Sequence, residues 1–252
     1  MMALFDEKKG GKETLPEKRQ ETAVAVMDIN EAFPVAENLE GVDRPELSLI
    51  KIIREPAGFN IDGEAVKSFT GCVLVAQRQN VWWKEEYDGT DRMPDCFSRD
   101  TVQPDPASES PQSKACVDCP MNEWGSGGGK SKACKNTRTL LVIVDGDELP
   151  SLLRCSPTNL RPWDKFASRM AKRGRHFATV QIRFSLTEKQ YDKGKFPQLV
   201  MEIERELDPT VEADAAMLRR NLEFISRYKA VVKADVATQD DVAGDVGNGD
   251  PF

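Results

Sequence analysis

The sequence predicts a mainly β fold with α: a five-stranded barrel, one helix before its last two strands, a cysteine-rich insert, a long C-terminal helix and an acidic tail. Three observations carry this reading. Short runs of β-branched and aromatic residues recur through the middle of the chain. Four of the six cysteines fall within 39 residues that lack apolar periodicity. Helical periodicity appears once before and once after the last two strand-like runs.

Taken in order, residues 1–45 read as a polar N-terminal arm, with a short helix near "AVAVMDINEAF". The core spans 46–207. "LSLIKII" (47–53) and "GCVLVAQRQNVWWK" (71–84) read as strands, and the insert follows at about 85–138. "TLLVIVDGDELPSLLRCS" (139–156) resumes the strand pattern, with Asp145-Gly146 as a turn. In "SPTNLRPWDKFASRMAKRG", Leu160, Trp163, Phe166 and Met170 recur every three or four residues, and Gly174 is a natural helix stop. "HFATVQIRFSL" (176–186) alternates strictly, and "PQLVMEIEREL" (197–207) is the last strand. A helix over 208–233 begins with Asp208 as N-cap and Pro209 in the first turn. Its apolar coverage suits packing on the barrel, with a homo-oligomer contact as the alternative. Residues 234–252 carry five aspartates and no lysine or arginine, and read as a disordered acidic tail. Strands, then a helix, then two strands is the order of an OB-fold.

The insert reads as a metal site. Cys116 and Cys119 form a Cys-x2-Cys knuckle, which Cys96 precedes and Cys134 follows. Four thiolates complete a tetrahedron, and the metal would supply folding free energy that the insert's few apolar side chains do not. Zn2+ is the expected ion. An iron–sulfur cluster is the alternative, and His176, the one histidine, is an alternative to Cys96 as fourth ligand. Cys72 and Cys155 lie in apolar strands and read as core thiols. "WGSGGGKS" (124–131) resembles a phosphate-binding loop, but Trp124 stands where that pattern needs its first glycine.

The net charge is −7, yet positive charge is concentrated. Lys130, Lys132, Lys135 and Arg138 follow Trp124 with no acid among them. Arg154, Arg161, Lys165, Arg169, Lys172, Arg173, Arg175 and Arg183 are opposed by Asp164 alone. Trp82 and Trp83 sit between Arg78 and Lys84. A strand sends neighbours to opposite faces, so one of that pair is expected at the surface, while Trp163 lies on the apolar stripe of its helix. Clustered bases interleaved with aromatics predict a nucleic-acid face in which bases stack and phosphates pair. Nothing in the sequence assembles a catalytic constellation. There is no apolar run long enough to span a membrane and no leader-like start, so a reducing cytoplasm is expected.

These parts together resemble phage and bacterial single-stranded DNA-binding proteins. The ending "GDVGNGDPF" is similar to the acidic tip of the bacterial family, matched by Asp250, Pro251 and Phe252. The cysteine insert is similar in kind to the zinc subdomain of the T-even phage helix-destabilising protein, although four cysteines replace a set that includes histidine. The resemblance implies a non-enzymatic coat for single-stranded DNA in phage-type replication, recombination or repair. It also implies little sequence preference and recruitment of replication or recombination proteins through Asp250, Pro251 and Phe252. The alternative is a zinc-ribbon transcription or replication adaptor that binds a protein or duplex DNA.

Overall fold

The structure, a computed structural model, describes residues 46–191 and 194–243, with 38, 40 and 42. The N-terminal arm thus lies almost wholly outside the described residues, as do Asp250, Pro251 and Phe252. The unit from Pro45 onward is described here.

Nine strands form one mixed sheet. They are β1 (Leu49–Arg54), β2 (Ala57–Ile61), β3 (Glu64–Val66), β4 (Ser68–Trp82), β5 (Cys96–Ser98), β6 (Lys135–Val144), β7 (Ser151–Cys155), β8 (Val180–Tyr191) and β9 (Gly194–Glu206). The order is β3-β2-β1-β7-β6-β4-β8-β9, with β5 on β4. Every pairing is antiparallel except β1 with β7. The sheet curls into a half-barrel. Phe59 of β2 meets Phe69 of β4 edge-on at 4.9 Å, and Phe69 stacks on Phe184 of β8 at 4.6 Å, so the two wings touch across the interior.

β4 is the hinge of the curl. Its first residues pair with β8 and the rest with β6, changing over at Gly71. A Cβ there would lie 2.5 Å from the Ile143 carbonyl oxygen, so only glycine allows this approach. The apolar runs of β4 and β6 do not alternate because both faces are covered. On the inner face, Val73, Leu140, Val142 and Leu153 pack with Trp163, Phe166 and Met170 of α1 (Pro157–Lys172). On the outer face, Cys72, Leu74, Leu141 and Ile143 pack with Phe224, Tyr228 and Val232 of α2 (Glu212–Ala234). Each fully buried Leu, Ile or Phe contributes about 1.5–3 kcal/mol.

Several expectations need correction. The sheet has nine strands rather than five, because the run over 139–156 makes two, β6 and β7, and β2, β3 and β5 are three short strands within segments rich in glycine, serine and charge. Gly174 does end α1, with φ +66°, and the amide of Arg175 closes the last turn onto Met170 O at 3.1 Å. The later helix starts at Glu212 rather than Pro209, because Asp208 Oδ1 accepts the amide of Thr210 at 2.9 Å and forms a turn of its own.

The tail is the largest difference. Residues 234–243 were expected to be solvated, but they pack as a strap ending in a short helix, α3 (Gln239–Ala243). Val236 and Ala237 bury against Val81, Phe97 and Trp83. The buried Gln79 amide donates to Asp235 O and accepts from the Ala237 amide. Arg154 bridges Asp235 and Asp241. Two of the five acids that suggested a free chain are thus ligands of a half-buried arginine.

Asp214, in the first turn of α2, accepts the Asp208 amide at 2.9 Å and pairs with Arg205. Together they hold its carboxyl below the usual aspartate range. Such a group contributes stability that is present above the ordinary carboxyl range and lost as pH falls through the lowered value. Asp214→Asn is therefore expected to destabilise at pH 7, with the gap to the parent closing in acid. Urea midpoints at a series of pH values check this, and a gap that stays constant would refute it.

Candidate nucleic-acid interface

Arg161, Lys165, Arg169 and Lys172 share one side of α1, since steps of three or four residues return to the same face. Like charges at this spacing cost a few tenths of a kcal/mol per pair. The stripe is therefore not there for helix stability. Arg161, Lys165 and Arg169 line a groove of about 570 Å³ between α1 and the outer edge of β9, with Lys189 and the β9 segment from Gln198 to Met201 on the far wall. Among the described residues, its lining side chains include no carboxylate. Among the described strands β9 pairs with β8 alone, so no strand covers its other edge. Side chains of α1 hold that edge: Asn159 Oδ1 accepts the Leu199 amide at 2.7 Å, and Arg169 Nη2 donates to Met201 O at 3.2 Å. Sequence reasoning missed Lys189 and this open edge, because a groove made by strand order leaves no local signal.

The other expected bases divide. Arg78 and Arg138 are cross-strand partners on the face that meets α1. Arg138 pairs with Asp164 at 3.0 Å and lies over the Trp163 ring. Burial, with the Arg78 charge adding to it, pushes its guanidinium below its ordinary value. Arg154 is held inside the strap. Arg183 pairs with Glu204 at 2.7 Å and Arg175 with Glu206 at 2.8 Å, so each faces a carboxylate rather than the groove. Lys84, Lys130, Lys172 and Arg173 are exposed. Lys135 donates to Lys132 O at 2.9 Å.

The tryptophans also differ from one another. Trp163 is core, 1% exposed, as its position on the apolar stripe suggests. Trp82 and Trp83 are both half-buried rather than one in and one out. β4 ends at Trp82, so strand alternation stops there. Trp83 instead leans on the Val81–Ala237 cluster and donates Nε1 to Arg92 O at 3.2 Å. Trp124 is 52% exposed.

The four cysteines of the insert converge. Cys96, Cys116, Cys119 and Cys134 line one cavity of about 20 Å³, with Asn80, Ser98 and Asn122 among its other walls. All are free thiols. Burial, then the neighbouring Cys119, Cys116 and Cys96, pushes Cys134 up to about 12. His176 lies outside the cavity: its Nδ1 accepts the Ala178 amide at 3.1 Å and its ring packs on Phe177. Among the described residues, no group of three or more His, Cys, Asp or Glu side chains is placed to hold a metal ion. The glycine-rich segment is a closed hairpin rather than a phosphate cradle. The amides of Gly125 and Gly127 are bonded to Ser131 O, and that of Gly128 to Gly125 O.

No helix among the described residues is long and apolar enough to cross a membrane. No protein-family model, curated protein or solved structure matches the chain.

Proposed function

We propose that the protein is a non-enzymatic single-stranded DNA-binding protein of a phage-type replication, recombination or repair system. The groove between α1 and β9 carries the reading. It is open to solvent, basic in its described lining, and its floor is apolar side chain and strand edge. Phosphates would meet Arg161, Lys165, Arg169 and Lys189, and contacts of that kind to the backbone carry little sequence preference. The half-barrel is read as OB-fold-like on the order of its elements, strands, then α1, then β8 and β9. Asp250, Pro251 and Phe252 are read as the tip that recruits partner proteins.

The insert is read as a zinc site. Four free thiols around an ion-sized cavity fit tetrahedral zinc in donor chemistry and number. Binding would draw them closer than they stand. Cys96, Cys116, Cys119 and Cys134 would hold the ion, whose contribution is folding free energy.

Titration with labelled oligothymidine at two salt concentrations tests the function. Single strands are expected to bind more tightly than duplex, with affinity falling steeply as salt rises. Arg161→Gln with Lys165→Gln should lower the slope of log affinity against log salt by about 1.4, two phosphate contacts at about 0.7 each for single strands. An unchanged slope would remove the groove from the reading. Preferred binding to a duplex sequence would favour the adaptor instead.

A further inference from the structure

On the reading just given, we infer that Trp124 is a base-stacking platform at the far end of the same single-strand path, so that the cysteine insert is a second nucleic-acid contact. An exposed tryptophan on a solvent-facing hairpin gains nothing from burial and needs another explanation. This ring is not free to swing. Lys132 Nζ lies 4.9 Å from the ring centroid and is fixed in turn by Asn122 Oδ1 at 3.1 Å and Asn136 Oδ1 at 3.4 Å. The hairpin beneath it is held by its own hydrogen bonds. At Gly127 a Cβ would come within 2.7 Å of the Lys132 carbonyl, so the backbone is close-packed there. A π face with Lys132 over it and Lys130 exposed on the same hairpin, with no acid from 124 to 135, suits a flat anion-bearing group. An unpaired nucleotide is that group.

Asn136 and Arg138 of β6 stand between the platform and α1. Asn136 and Arg138 are two apart on β6 and share a face, about 7 Å from each other. Their partners on β4 are Asn80 and Arg78. Asn136 holds Lys132 at one end, and Arg138 holds Asp164 of α1 at the other, next to Lys165 and one turn from Arg161. Of Arg78, Asn80, Asn136 and Arg138, Arg78 is the exposed one, so a strand bound at the groove would reach Trp124 past Arg78.

Oligothymidines of about 4 and about 16 nucleotides, the ends of the range such modules cover, test this. Trp124→Ala is expected to weaken the longer one about tenfold and leave the shorter one unchanged. Trp124→Phe should recover most of the loss, with melting temperatures equal throughout. Unaltered affinity of Trp124→Ala for the longer strand would overturn the platform. Equal losses on both lengths would place Trp124 in the primary contact and overturn the extended path. If the parent protein binds neither strand, the proposed function itself fails.

Discussion

If the insert holds zinc as proposed, chelation at neutral pH is expected to unfold the segment between β5 and β6 while the half-barrel stays folded. The reason is what is buried there. Between Phe97 and Leu140 the only buried side chains of apolar class are Cys116, Cys119 and Cys134. A segment of this length loses about 1–2 kcal/mol of backbone entropy per ordered residue. Short turns such as Cys119 to Asn122, and hydrogen bonds such as Cys134 N to Met121 O at 2.7 Å, do not offset that. Structural zinc contributes on the order of 10–16 kcal/mol in small peptide sites. The measurement is limited proteolysis read by mass spectrometry, with and without chelator, beside metal analysis of the purified protein. Cuts are expected within 99–134 only after chelation, and Cys116→Ser with Cys119→Ser should be cut without it. A protein free of zinc whose insert resists protease would end the metal reading. Iron with acid-labile sulfide would replace zinc by a cluster.

Truncation after Lys233 is expected to lower the melting temperature by about 10 °C, and truncation after Ala243 to leave it unchanged. The shorter chain loses both carboxylates of Arg154, whose side chain is only 15% exposed. Stranding a buried charge costs about 3–5 kcal/mol. At about 2–4 °C per kcal/mol for a chain of this size, that alone accounts for the shift. It also bares Val81 and Phe97 and unpairs Gln79. Calorimetry of the two truncations decides it, and a shorter chain melting within 2 °C of the parent would show that the strap stabilises nothing. The result bears on function too. Any test of the acidic end in the proposed DNA binding is therefore to remove residues from 244 onward, which leaves the strap of 234–243 in place.

The elements with strong periodicity were legible in the sequence. Trp163, Phe166 and Met170 announce α1, and Gly174 its end. The paired runs of β6 and β7 flank a visible Asp-Gly turn. The cysteines announce one another by spacing, and the structure gathers them around one cavity. What was not legible depends on partners distant in the chain. Asp235 and Asp241 look like tail residues until Arg154 is beside them. Arg154 and Arg183 look like phosphate ligands until their carboxylates appear, because a count of charge by segment does not see across strands. β5 has three residues and only its pairing with β4 makes it a strand. The groove needs β9 to be the outermost strand, which is a property of the whole sheet.

The basic stripe of α1 has a consequence for movement. Its charges repeat at intervals of one helical turn, about 5.4 Å, and none is singled out by a base-reading partner. A bound strand displaced by one step would meet nearly the same row of charges. Binding of this kind has many registers of similar energy with low barriers between them. On the proposed function, such a surface would resist little of a strand's sliding, and the molecule could be pushed along by whatever advances behind it.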